Sequence, residues 1–168
     1  FFNTLGEAVN QLGRTFAYVR VSTVGQTVDG QIHEITAAGF SLPDYRVVAE
    51  TVSGSVPAMQ RPEFVRLMDR LEPGDTLVVT KLDRLGRDAI DVSGTVSVLA
   101  ELPVKVYCLA LAGTDLTSSA GQLTMNVLNA VAQFERDLLR ERTQAGLAAA
   151  KAKGVRLGRP KALTLGQE

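Results

Sequence analysis

Three short segments bring a serine, an aspartate and several arginines within reach of one chemistry. Tyr18-Val19-Arg20-Val21-Ser22-Thr23 closes an apolar run, Ser53-Gly54-Ser55 precedes Arg61-Pro62, and Lys81-Leu82-Asp83-Arg84-Leu85-Gly86-Arg87 follows a second apolar run. Each stands where a hydrophobic run gives way to a loop or a helix start, so the charged groups can converge beyond strand ends. Guanidinium forks match phosphate oxygens and stay charged at any working pH. Around a serine hydroxyl they suit a phosphodiester that the hydroxyl attacks. That hydroxyl is a weak nucleophile until its proton is taken or the developing charge is stabilised. The single His33 argues against a Ser-His-Asp triad and against a histidine metal site. Asp83 is a candidate proton acceptor or orienter, although an aspartate ringed by arginines makes a poor base. The larger effect expected is electrostatic, from fixed guanidiniums aimed at the non-bridging oxygens. Such a set does without metal what Mg²⁺ does in many phosphoryl-transfer sites, so no metal or cofactor is expected. The carboxylates Asp75, Asp83, Asp88 and Asp91 leave a two-metal nuclease as an alternative, weakened because the cations beside Asp83 repel Mg²⁺.

An α/β scaffold is predicted to position these groups. Phe16 to Val21 reads as a first strand by its aromatic and β-branched content. Asp29 is expected to cap a helix through about Ala38, with Gly39 as its stop. Arg46 to Ala49 is a second strand, Ser53 to Gln60 a loop, and Pro62 begins a helix running to Leu71. Thr76 to Thr80 is a third strand, continuous enough to be buried on both faces. A helix over 88–101 and a strand over 104–109 follow. Strand alternating with helix implies a mostly parallel sheet flanked by helices, with its ligand site at the carboxyl ends of the strands.

The last segment differs. From Ala120 to about Lys153 there is no proline, and Leu123, Val127, Val131, Phe134, Leu138 and Leu139 form an apolar stripe at helical steps. A helix of that length reaches roughly 50 Å, more than a domain of this size measures across. It is therefore expected to project and to pair, most simply with a second copy; a bend back onto its own domain near Gly146 is the other reading. The division expected is an extension over 1–13, in which Phe2, Leu5, Val9 and Leu12 have helical spacing, a catalytic domain over 14–118, an oligomerisation helix over 119–153 and a basic arm over 154–168.

Eighteen Lys and Arg balance eighteen Asp and Glu, but the charge is unevenly placed. From Arg140 to Lys161 seven cations (Arg140, Arg142, Lys151, Lys153, Arg156, Arg159, Lys161) face the one acid Glu141, a candidate phosphate-binding arm or a solvated helix end. The lone Cys108, among Val106, Tyr107 and Leu109, reads as a core thiol and fits a reducing compartment. No apolar run approaches the roughly 20 residues of a membrane span, and the amino-terminal residues do not read as a secretory signal.

Together these motifs resemble the catalytic domain of the serine site-specific recombinases, the transposon resolvases and DNA invertases, over about Phe16 to Lys161. The resemblance implies that Ser22 is the nucleophile that becomes joined to DNA, that Arg20, Arg61, Arg84 and Arg87 surround the scissile phosphate, and that Asp83 orders them. It implies active-site glutamines at Gln26 and Gln31, and supporting places for Asp75 and for Arg70, which stands where some relatives carry lysine. Arg136, Glu141 and Arg142 match long-helix residues tied to dimer contacts, DNA and activation, and Gly158-Arg159-Pro160 resembles the start of an arm that follows the minor groove. It further implies a cytoplasmic, nucleoid-associated protein acting on double-stranded DNA, as a dimer and then as a tetramer in the active complex. Family members of this size class continue into a helix-turn-helix that reads the site; this chain reaches Glu168 before one, so the expectation is a catalytic core, a truncated product or a protein whose reader is not included in this sequence. A non-catalytic DNA-binding relative is the alternative, and a small-ligand α/β module is weakened by the lack of a G-x-G-x-x-G loop.

Overall fold

The computed structural model describes residues 13–21, 28–155 and 158. Five strands form one sheet: β1 (Thr15–Val21), β2 (Val47–Thr51), β3 (Thr76–Val79), β4 (Lys105–Cys108) and β5 (Thr114–Asp115), in the order β2-β1-β3-β4-β5. The first four are parallel, and β5 pairs antiparallel with β4 through Tyr107↔Asp115 and Cys108↔Thr114. The helices are α1 (Asp29–Ala37), α2 (Pro62–Met68), α3 (Ala89–Glu101) and α4 (Ser119–Ala152). The order reverses between β1 and β3, the switch point where a doubly wound sheet opens a crevice at its carboxyl edge.

Alternation along β1 divides its side chains between two cores. Phe16 and Tyr18 pack with Phe64, Leu67, Val92, Val96 and Leu99 from α2 and α3, whereas Ala17 and Val19 pack with Ile35 and Phe40. By the same period Arg20 falls on the α2/α3 face. Strands β1 and β3 are buried throughout, as their unbroken apolar runs require.

Local chemistry explains most boundaries. Asp29 opens α1 but does not cap it: Val28 is the N-cap, without a side-chain bond. Gly39 ends that helix at φ 91°, a conformation that favours glycine. Pro62 supplies the first position of α2, but the helix stops at Met68, short of the predicted Leu71. The Asp88 side chain caps α3 by accepting the Asp91 N–H. Gly121 lets the first turn of α4 press against the end of β5, since a Cβ there would stand 2.1 Å from the Asp115 carbonyl oxygen.

The chain divides into two compact units, Phe1–Asn129 and Ala130–Glu168. The division falls inside α4, because Gly121 and Met125 in its first turns are buried in the first unit. The helix is continuous through Gly146. In the second unit Val131, Phe134, Leu139 and Leu147 are exposed, Arg136 Nε donates to the Ala132 carbonyl, and Arg140 pairs with Asp137. Among the described residues no helix is long and apolar enough to cross a membrane.

Candidate active site

The carboxyl ends of β1, β2 and β3 present three segments side by side. Arg20 leaves β1 one residue before its end, Val52 follows β2, and the 3₁₀ turn Leu82–Arg84 follows β3. Asp83 joins them: one oxygen, Oδ2, accepts Arg20 Nη2 at 3.1 Å and Arg84 Nη1 at 3.0 Å. Arg20 Nη1 also donates to the Val52 carbonyl at 2.8 Å. Gln31 closes the circuit from α1, donating from Nε2 to the Arg20 carbonyl at 3.0 Å and accepting Arg84 Nε on Oε1 at 3.0 Å. Thr80, at the end of β3, donates weakly to that same Oε1. The circuit thus runs through a ring of four residues: Asp83 bridges the two guanidiniums, the Val52 carbonyl holds that of Arg20 on its other side, and the Gln31 amide holds that of Arg84 while bonding the Arg20 backbone carbonyl.

The ring is graded in exposure. Side-chain exposure is 6% for Arg20, 13% for Arg84 and 54% for Asp83, so the carboxylate faces solvent and the cations lie beneath it. Burial lowers the pKa of the Arg84 guanidinium, Asp83 pulls it back up, and the charges of Arg20 and Arg61 push it down again. Arg20 Nε and Arg61 Nη2 are buried without a partner among the described residues. An unmet buried donor costs about 1–3 kcal/mol, and such cost is commonly retained where function needs a free donor.

Gly54 lies over this cluster. A Cβ at Gly54 would stand 3.0 Å from Arg20 Nη2 and 3.4 Å from its central carbon, so the Ser53-Gly54-Ser55 loop is a cover on the guanidinium. Ser53 and Ser55 hold that loop by a hydroxyl–hydroxyl bond of 2.9 Å.

A second layer supports the first. Glu50, paired with Arg20 in the register of β1 and β2, is buried. It accepts the Tyr18 hydroxyl at 2.8 Å and the Glu63 N–H of α2 at 3.1 Å. Burial first, and the bond to Glu50 second, push the Tyr18 hydroxyl well above its ordinary pKa, while Arg61 opposes them; it remains a donor. The sequence reading missed both residues. A tyrosine in an apolar strand looks like core, and the signal that would have found Glu50 is an acid placed just before Ser53-Gly54-Ser55.

This geometry coincides with a match over nearly the whole chain to the family described as resolvase, N-terminal domain, across residues 15–156. The chain belongs to the resolvase family. It is 57% identical over 157 residues to the transposon Tn2501 resolvase of Escherichia coli, covering 94% of this chain and 81% of that protein. Identity is 50% over 152 residues to the serine recombinase PinR of Escherichia coli strain K12, covering 90% of this chain and 78% of the relative. It is 39% over 149 residues to the DNA-invertase hin of Salmonella typhimurium, covering 89% and 75%. Among solved structures, the N-terminal catalytic domain of TP901-1 integrase superposes with a TM-score of 0.58 at 28% identity, covering 74% of this chain and 98% of that one.

Within this resolvase-family chain the predicted site residues separate into groups. Arg20, Asp83, Arg84 and Gln31 are brought together. Ser22 and Gln26 lie outside the described residues. Arg61 is not presented to a phosphate here: it is fully buried, donating from Nε to the Val56 carbonyl and from Nη1 to the Arg84 carbonyl at 2.6 Å. Its place at the N-cap of α2, under the loop and the core, accounts for this. Arg87 is half exposed and stands 3.4 Å from Asp88.

Arg70 and Asp75 are not brought to the ring. Asp75 precedes β3, at the amino edge of the sheet, where it holds the Arg14 guanidinium at 2.7 Å and accepts the Glu72 N–H at 2.8 Å. Burial alone would raise the Asp75 carboxyl, but the Arg14 side chain and the Glu72 and Arg14 backbone N–H groups outweigh it and hold the pKa low. Arg70 donates to the Tyr45 carbonyl and lies 5.2 Å from the Phe16 ring centroid. Five strand residues, 15–19, separate Arg14 at this edge from Arg20, so Arg70 and Asp75 are structural neighbours of Arg14 and not of the ring. The four carboxylates of the two-metal alternative therefore do not converge. Glu141, Arg142, Lys151 and Lys153 are exposed on or just after α4 and Arg136 is half-buried on it, whereas Arg156, Arg159 and Lys161 lie outside the described residues.

Proposed function

We propose that this chain cleaves and rejoins DNA through Ser22. Family membership makes it a site-specific recombinase of the resolvase and invertase kind, an enzyme that breaks and reseals DNA strands. The observation that carries the reading is the bridging of Arg20 and Arg84 by Asp83 at the switch point, directly beside the strand end from which Ser22 follows. Two fixed guanidiniums provide a preorganised field for the charge that develops on the non-bridging oxygens. Attack by Ser22 Oγ forms a serine–phosphorus bond and breaks the bond to the 3′ oxygen. The hydroxyl proton leaves as the 3′ oxygen gains one, and a 5′ phosphoserine link remains. Reversal with a different 3′ hydroxyl reseals the strand without ATP.

Arg61 acts here from beneath, holding the backbone of Arg84, and Glu50 with Tyr18 fixes the strand pair under Arg20. The exposed apolar residues Val131, Phe134 and Leu139 support pairing of α4 with a second copy, and cleavage of both strands of a duplex calls for a pair of active sites. The cations after Arg140 support phosphate contact along DNA.

The test fuses the chain to a C2H2 zinc-finger reader and supplies suicide duplexes in which inverted reader sites flank a randomised centre. The chain should form a covalent DNA adduct, and Ser22→Ala should form none while binding as before. An adduct in the Ser22→Ala protein would remove that residue from the reaction.

A further inference from the structure

We propose that Asp91 is a positioning residue for strand cleavage, its carboxylate setting the loop that launches Arg87 against the loop that carries Arg61. The inference rests on the phosphate role assigned to Arg87. Asp91 stands in the first turn of α3, where its N–H is held by Asp88 Oδ1 at 2.9 Å. Its own Oδ2 accepts at 2.8 Å the N–H of Arg87, the residue before the N-cap Asp88. The same oxygen accepts the Ala58 N–H at 3.3 Å, across 33 residues of chain. No cap requires that second bond. Ala58 is fully buried and begins the 3₁₀ turn Ala58–Gln60 that delivers Arg61, so Asp91 ties the Arg87 loop to the core.

Gly86 seats the other side of Arg87. A Cβ there would fall 2.6 Å from the Val92 nitrogen and 2.9 Å from the Asp91 carbonyl carbon, so the backbone lies flat on the turn that carries Asp91. The two loops are laced again by Arg61 Nη1 on the Arg84 carbonyl. The Arg87 side chain is 54% exposed, so its aim depends on the backbone that launches it. A shift of about 1 Å in such a group costs on the order of 100-fold in rate.

The experiment uses the same fusion and suicide duplexes under single-turnover conditions, with DNA affinity and thermal melting read in parallel. Asp91→Ala should slow adduct formation by about tenfold or more at saturating DNA with affinity unchanged. Asp91→Asn, which keeps an accepting oxygen for both N–H groups, should stay within about threefold of the unaltered chain. In an Arg87→Ala background, Asp91→Ala should add no more than about a twofold loss. An unchanged rate in Asp91→Ala, a matching loss of affinity, additive losses with Arg87→Ala, or an inactive but folded Asp91→Asn would each overturn the assignment. Should Asp91→Ala fail to fold, the activity of Asp91→Asn decides. Absence of any adduct from the unaltered chain would instead overturn the recombinase reading on which this one stands.

Discussion

Gly54 sits tightly against the guanidinium of Arg20: a Cβ at that position would lie 3.0 Å from Nη2, close enough that the guanidinium would have to shift. Arg20 cannot give way freely, because Val52 and Asp83 hold two of its nitrogens. Gly54→Ala should therefore displace the guanidinium by a few tenths of an ångström. We expect adduct formation to fall about tenfold, of the order found when catalytic groups lose their alignment. Melting temperature should move little, and a full-rate Gly54→Ala protein would mean that the loop lifts off Arg20 before reaction.

Asp83 is the common acceptor of two cations, and its removal should be felt in rate more than in binding. Asp83→Asn leaves Arg20 and Arg84 facing each other without the carboxylate that bridges them. Cleavage should drop by roughly 100-fold, as when a preorganised electrostatic element is lost. Affinity for DNA at low salt should hold or rise, since a negative charge has been taken from a phosphate site. Filter binding and single-turnover adduct assays separate the two.

Gln31 offers a gentler probe of the same ring. Gln31→Ala removes the acceptor of Arg84 Nε and the donor to the Arg20 carbonyl. The expected result is a fall of about tenfold in rate with binding unchanged, and Gln31→Glu, which keeps the acceptor but loses the donor, should fall between.

At the other edge of the sheet, Asp75 should matter for folding and not for cleavage. Its pKa is depressed in the fold, so the unfolded chain binds its proton first as pH falls. The stabilisation is fully present above the ordinary aspartate value of about 3.9 and is lost as pH drops through the lower folded value. Asp75→Asn should cost about 2–3 kcal/mol at pH 7, the scale of hydrogen bonds to a charged group. Urea midpoints of the two proteins should draw together in strong acid, while adduct yield per folded molecule stays the same at pH 7.

The basic segment after α4 gives a prediction in salt. Removing 151–168 takes away Lys151, Lys153, Arg156, Arg159 and Lys161. If all contact phosphates, the slope of log affinity against log salt should shrink by about 4.5 for mixed-sequence duplex. An unchanged slope would mean these cations are solvated and idle.

Much of the site was legible because its chemistry is carried by residue types that have few other reasons to gather. Arg20, Asp83 and Arg84 follow apolar strands whose burial is written in their composition, and Gly39, Pro62 and Asp88 mark turns and helix starts by their backbone preferences. What the sequence does not carry is depth and direction. Arg61 reads as one more guanidinium for a phosphate, yet the N-cap of α2 lies under the Ser53 loop and buries it. Arg70 and Asp75 lie close in sequence to the third strand, but the amino edge of the sheet claims them for Arg14. Strand β5 has two residues, too few for a period to appear. The Asp91 bond to Ala58 links positions whose proximity depends on the assembled fold.

Arg20 and its two partners Asp83 and Gln31 come from separate stretches of chain, with 63 residues between Arg20 and Asp83. A nascent polypeptide that has left the ribosome as far as β2 holds Arg20 and Gln31 but not yet the Asp83 carboxylate that bridges Arg20 to Arg84. The bridged pair of guanidiniums therefore forms only after the third strand has docked and the turn after it has followed, so a half-made chain lacks the arrangement that the proposed strand cleavage requires.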